Sequence, residues 1–178
     1  MILLRLILPL LLLSATLSFQ SNCTDLLTLF GERDISAKVQ TFLRECGPFE
    51  ESVTIGGDSK TYISEEKGIQ LMFVNRELKS TSLPKYELLS IELTAFTDKG
   101  GYKEEFPFGL KMGMDHKMVK EHIKQLKDVY YEKKNLSKKS SSFTYTGLMN
   151  PNLHNRQLRV MITQFDGNSI TAIRMRLK

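Results

Sequence analysis

The stretch "FPFGLKMGMDHKMVKEHI", Phe106 to Ile123, decides how this chain is built. An apolar approach punctuated by glycines leads to Asp115, a residue whose side-chain oxygen can cap the first turn of a helix. Behind it Met118, Val119, Ile123, Leu126 and Tyr130 recur at helical spacing, while Lys117, Lys120, Lys124 and Lys127 take the opposite side. A helix therefore begins in mid-chain. The segments behind this helix read as strand: "KDVYYEKK", "SSFTYTG", "RQLRVMIT" and "ITAIRMRL", the last two joined by the hairpin turn "DGNS".

The same order stands upstream. From Asp34, a candidate N-cap, the residues Ile35, Val39, Phe42, Leu43 and Cys46 fall on one helical face, and Gly47-Pro48 ends the helix. "ESVTI", "KTYIS" and "GIQLMFV" come next as short β-branched and aromatic runs separated by the turn segments "GGDS" and "EEKG". "YELLSIELTAF" makes a fourth strand. Val39 and Val119 are 80 residues apart, and Ile91 and Ile173 are 82 apart, so the spacing supports a duplicated unit. The expectation is an α+β protein of two similar units, each a helix packed on an antiparallel β-sheet of three or four strands. They cover 21–103 and 104–178, and their strands are able to join into one continuous sheet.

Ahead of them, "MILLRLILPLLLLSATLS" has one positive charge, an apolar run from Leu6 to Leu13, and small or polar residues after it. This is the pattern of a signal peptide over residues 1–20, and the run is too short for the ~20 residues of a spanning helix. The expected product is exported, secreted or periplasmic, with no transmembrane segment. The composition is that of a folded protein, with 41% hydrophobic residues and 25 Lys and Arg against 20 Asp and Glu. So mild an excess is no nucleic-acid footprint.

Two cysteines, Cys23 and Cys46, travel to an oxidising compartment. A disulfide between them is the default reading and would add ~3 kcal/mol in the chain-entropy model. Two free thiols, or lipidation of Cys23 in an envelope lipoprotein, are the alternatives; the preceding "FQSN" departs from the small-residue pattern lipidation requires. Asn22 and Asn135 head glycosylation sequons, of use only in a eukaryotic source.

"FGLKMGMDHKMV", in which Gly113-Met114 leads into a helix followed by antiparallel strands, resembles the helix entry of small exported αβ modules. These are the SmpA/OmlA (BamE) type and the related tandem fold of the β-lactamase inhibitory proteins. The resemblance covers the second half in pattern and the first by analogy. It implies a binding or scaffolding role on an exposed sheet face and carries no catalytic residues. The chain departs from the inhibitors in having no Trp and one pair of cysteines, so inhibition of a lactamase is not carried over.

The search for chemistry is largely negative. No G-x-S-x-G, P-loop, dinucleotide fingerprint or H-E-x-x-H occurs. His116 and His122, six apart on a helix, diverge by roughly 240° and cannot share a metal. His122, at the edge of the apolar stripe, reads as a packed histidine. No catalytic, cofactor or metal residue is expected. The positive feature is basic: Lys117, Lys120, Lys124 and Lys127 on one helical stripe, and Arg174, Arg176 and Lys178 alternating along the last strand. Such residues serve either as solubilising surface or as a patch for an anionic glycan, lipid surface or acidic protein. The function expected is therefore non-enzymatic binding through a sheet face or basic rim, with an envelope scaffold and a secreted hydrolase as the rival classes.

Overall fold

The computed structural model describes residues 23–76, 85–111, 113–125, 130–136, 140–149, 157–165 and 169–177. The leader, Asn22, Leu126, Lys127 and Lys178 lie outside the described residues, and of Cys23, β5 and β6 only the backbone is described.

A short 3-10 segment, Cys23–Leu29, precedes helix α1 (Ala37–Glu45) and strands β1 (Glu50–Val53), β2 (Ser59–Ser64), β3 (Ile69–Asn75) and β4 (Tyr86–Thr94). A 3-10 turn at Pro107–Gly109 introduces helix α2 (His116–Lys124) and strands β5 (Tyr130–Leu136), β6 (Ser140–Met149), β7 (Gln157–Phe165) and β8 (Ser169–Leu177). The strands form one sheet in the order β1-β2-β3-β4-β8-β7-β6-β5. Every pairing is antiparallel. Each half of the chain thus supplies a helix and then a four-strand meander, and the meanders meet where Ser90–Thr94 of β4 pairs with Ala172–Arg176 of β8. The protein is α+β, as its sequence predicts.

The period of two along the strands decides which side is covered. In β3, Ile69, Leu71 and Phe73 are buried while Gln70, Met72 and Val74 are not. Register carries the inward set across strands: Ile69 faces Leu93, Leu93 faces Ile173, and Ile173 faces Ile162. A second row runs Leu71, Ile91, Met175, Val160. Val39 and Phe42 of α1 and Val119 and Ile123 of α2 belong to the same buried cluster as these rows. Each such fully buried aliphatic or aromatic side chain contributes ~1.5–3 kcal/mol by leaving water.

Helix entry follows the sequence at α2 and departs from it at α1. Asp115 caps α2, its Oδ1 accepting the Met118 N–H at 2.8 Å. At α1 the cap is Ser36, whose Oγ accepts the Val39 N–H at 3.3 Å, and not Asp34. Asp34 is buried instead, because Lys60 on β2 draws its carboxylate inward. The helix then starts too late to include Ile35, which is 65% exposed. The stripe on α2 is also narrower than predicted. Val119 and Ile123, one turn apart, suffice to reach the core, and Met118, about 100° round the helix, stays in solvent. The helix ends at Lys124, so Tyr130 opens β5 and is no part of it.

The approach to α2 is a turn clamped by its own helix. Phe108 and Gly109 both have positive φ, 67° and 69°, and the carbonyl of Phe108 lies 2.7 Å from His122 Nε2. A carbonyl can only accept, so this ring nitrogen carries the proton. His122 is thus a half-buried packing residue, in keeping with its position on the stripe.

Candidate functional site

Because the helices and the inward rows share one core, the other face of the central strands is left uncovered by any described element. Its two rows can be read from the register. One runs Met72, Ser90, Arg176, Arg159 and the other Gln70, Glu92, Arg174, Met161. Between them lies a groove of about 190 Å³ lined by Gln70, Met72, Ser90, Glu92, Arg174 and Arg176.

The electrostatics of this face are unusual for the middle of a sheet. Arg176 stands directly opposite Arg159 on the neighbouring strand, and Arg174 lies two residues from Arg176 on the same side. Like charges directly opposed across a sheet are destabilising. A carboxylate answers at Arg174: Glu92 Oε2 accepts from its Nε at 2.7 Å and also from its Nη2. The serine in the groove is no free nucleophile, since Ser90 is buried and its hydroxyl donates to the carbonyl of Met175 at 3.0 Å. Among the described residues no group of three His, Cys, Asp or Glu could hold a metal ion. The arrangement can make charge-assisted, forked hydrogen bonds to an anionic group and can pack methionine against an apolar one.

The alternation of "RMR" in the last strand brings Arg174 and Arg176 to one face, as the sequence predicts. Arg159 completes the cluster, and sequence reasoning does not find it. Its outward position is legible in the alternation "LRVMI", but that β7 pairs with β8 in this register is a tertiary fact.

The lysines lie elsewhere. Lys117, Lys120 and Lys124 are exposed on α2, and their charge is partly offset within the helix. Lys124 Nζ meets Glu121 Oε1 at 2.8 Å. That contact, with the charges of Lys120 and Lys117, holds the Glu121 carboxyl below its ordinary pKa. Replacing Lys120 and Lys124 by Gln should therefore shift unfolding stability by less than ~0.5 kcal/mol, a change checked by urea denaturation. A larger loss would show that the stripe has a structural role.

A second depression, about 320 Å³, lies where the β2–β3 turn meets the loop after β4, lined among others by Glu66, Lys67, Lys99 and Tyr102. Its charges are largely matched: Lys99 lies 3.0 Å from Glu65 and 3.8 Å from Glu50. Cys46, at the end of α1, is buried and disulfide-bonded. Asn135 lies near the end of β5, an edge strand, with its backbone opposite Ser142.

No protein-family model, curated protein or solved structure matches this chain. Among the described residues no helix is long and apolar enough to cross a membrane.

Proposed function

We infer that the chain is an exported, non-enzymatic binding protein that engages a protein partner through the uncovered face of its sheet. The observation that carries this reading is the asymmetry of the sheet. One side of the central strands is packed with aliphatic residues, and the other presents Arg159, Arg174, Arg176, Met72 and Met161 in ordered rows with no element over them among the described residues. Accessible arginine and methionine on a broad, rigid surface are the residue types enriched where proteins meet.

The two halves are read as copies of one αβ unit, in the manner of tandem BamE-like modules. The matching order of helix and four strands in each half supports this reading. The disulfide at Cys46 suits an oxidising compartment, and the reading gives it Cys23, the chain's other cysteine, as partner, in preference to a lipid anchor there.

The test is affinity capture from the native extracellular or periplasmic fraction with the wild-type protein and with a Met72→Glu, Met161→Glu double variant. A specific partner retained by the former and lost by the latter, with circular dichroism unchanged, is the expected result. Retention by both, with loss only on replacing Lys117, Lys120 and Lys124 by Gln, would move the binding surface to α2.

A further inference from the structure

We propose that the two edges of the sheet are complementary docking strands for a second copy of this chain, β1 of one copy pairing antiparallel with β5 of the next.

The backbone sets up the pairing. β1 and β5 stand at the two ends of the strand order, and β1 is exposed along its whole length. The Thr54 N–H donates to the Ser59 carbonyl at 3.0 Å, carrying the β1–β2 register one step further. Hydrogen-bonded pairs alternate with non-bonded ones in an antiparallel ladder. Ser52 and Glu50 therefore bond to β2, and the N–H and C=O groups of Glu51 and Val53 turn outward from the sheet. The Asn75 N–H, which donates to the Asp58 carbonyl at 2.9 Å, fixes the same alternation from the β3 side. Outward backbone groups of this kind are a template for another strand. At the far edge, β5 has an irregularity between Tyr131 and Lys133 and then pairs with β6 without a shift from Lys133 to Leu136. That regular run has four residues, the length of β1.

The orientation fits as well. The sheet has eight strands and every neighbour is antiparallel, so its two edge strands run in opposite directions. Copies set side by side in one orientation thus continue the alternation and keep their helices on one side.

Charge selects the occupant. β1 opens with Glu50-Glu51, and the regular run of β5 opens with Lys133-Lys134. Consecutive strand residues take opposite faces, so each edge brings one charge to each face of the seam. Like charges repel across a ladder, which disfavours β1 on β1 and β5 on β5, whereas β1 on β5 sets carboxylates among ammonium groups. Edges guarded by one common sign would repel in every combination. Glu50 and Glu51 have lysine neighbours of their own, Lys99 at 3.8 Å and Lys60 at 3.5 Å, but their side chains remain 85% and 49% exposed, within reach of an incoming strand. Pairing of unlike edges is heterologous, so it builds rings or filaments of many copies. It leaves the uncovered sheet face free and sets copies of it in a row, a gain in avidity for any partner with repeated sites.

The test uses the mature protein with its disulfide intact and no glycan on Asn135, a residue of the β5 edge. Sedimentation velocity at low ionic strength should show an average mass that rises with concentration past the dimer and falls as salt is added. Two variants change the charge of one edge each: Glu50→Lys with Glu51→Gln, which sets no second cation beside Lys60, and Lys133→Glu with Lys134→Glu. Each should weaken association about tenfold, the weight of cross-strand ion pairs turned to repulsion. An equimolar mixture of the two should assemble again, because one is then basic on both edges and the other acidic on both. Val53→Pro, which removes an outward N–H without touching the β1–β2 bonds, should also block assembly with circular dichroism unchanged.

A monomer at every concentration would overturn the proposal, as would a closed dimer or an assembly that persists in all three variants. Loss in both charge variants without recovery on mixing would overturn it too, since complementary edges require that recovery.

Discussion

Gly68→Ala should destabilise the protein by about 3 kcal/mol or more, the sum of a left-handed backbone costing ~1–2 kcal/mol and an overpacked junction costing ~1–3 kcal/mol. Gly68 has φ +62°, and a Cβ there would run into the Thr94 carbonyl oxygen, the Tyr102 amide nitrogen and the backbone of Gly101. These atoms cannot give way. The Thr94 N–H donates to the Gly68 carbonyl at 2.8 Å, the Tyr102 N–H to the Thr94 carbonyl at 2.8 Å, and the Gly101 N–H to the Glu66 carbonyl at 3.2 Å. Three chain segments meet here backbone to backbone, and only a residue without a side chain fits between them. Gly56 separates the two costs, because it too has positive φ, +96°, but a Cβ added there would meet nothing within 4 Å. Gly56→Ala should lose only the dihedral share, ~1–2 kcal/mol. Urea midpoints that fall equally for the two variants would contradict this account of the junction.

Asp34→Ala should cost a further sizeable share of stability, about 3 kcal/mol, because it strands a cation at the edge of the core. Lys60 Nζ lies 2.9 Å from Asp34 Oδ2, with the side chains 17% and 6% exposed. Glu51, at 3.5 Å, is half exposed and a weaker substitute. The Tyr86 ring, 5.1 Å from the ammonium, adds a cation–π contact. Burial by itself pulls the Lys60 pKa down. The hydrogen bond to Asp34 and the neighbouring negative groups together outweigh it and hold the pKa above the ordinary lysine value. A raised cationic pKa contributes stability that is fully present below the unfolded-state value, ~10.4, and is lost as pH climbs through the folded one. The wild-type protein should therefore keep this contribution across neutral pH and lose it only in strong alkali. The double variant Asp34→Leu, Lys60→Met should recover most of the loss, since an apolar pair can replace a buried ion pair at little cost. A double-mutant cycle with no coupling between the two sites would contradict the assignment.

Asp34 also shows where the sequence stops being legible. Its position just ahead of an apolar periodicity suits a cap, and local pattern alone cannot say that Lys60, far along the chain on β2, will claim it. The strands are legible because short runs rich in β-branched, aromatic and other apolar residues between turn segments are a local signal, as in "GIQLMFV" and "ITAIRMRL". The helix starting behind Asp115 is legible for the same reason. The 3-10 segment Cys23–Leu29 is not, since "CTDLLTL" carries neither period for long enough. On the uncovered face, two of the three arginines can be placed together from one strand. The third, and its place opposite Arg176, depend on which strands pair and in what register. The lysine stripe, conspicuous in sequence, is a helix surface partly neutralised by Glu121.

The most direct test of binding through the sheet face is methionine oxidation footprinting of the captured complex. Met72 and Met161 lie half buried on the uncovered face, and Met118 is 52% exposed on α2, which makes it an internal control. With the partner bound, peroxide should oxidise Met72 and Met161 several times more slowly than in the free protein, while Met118 reacts at its free rate. Protection of Met118 with Met72 and Met161 unchanged would place the partner on the helix and contradict the account.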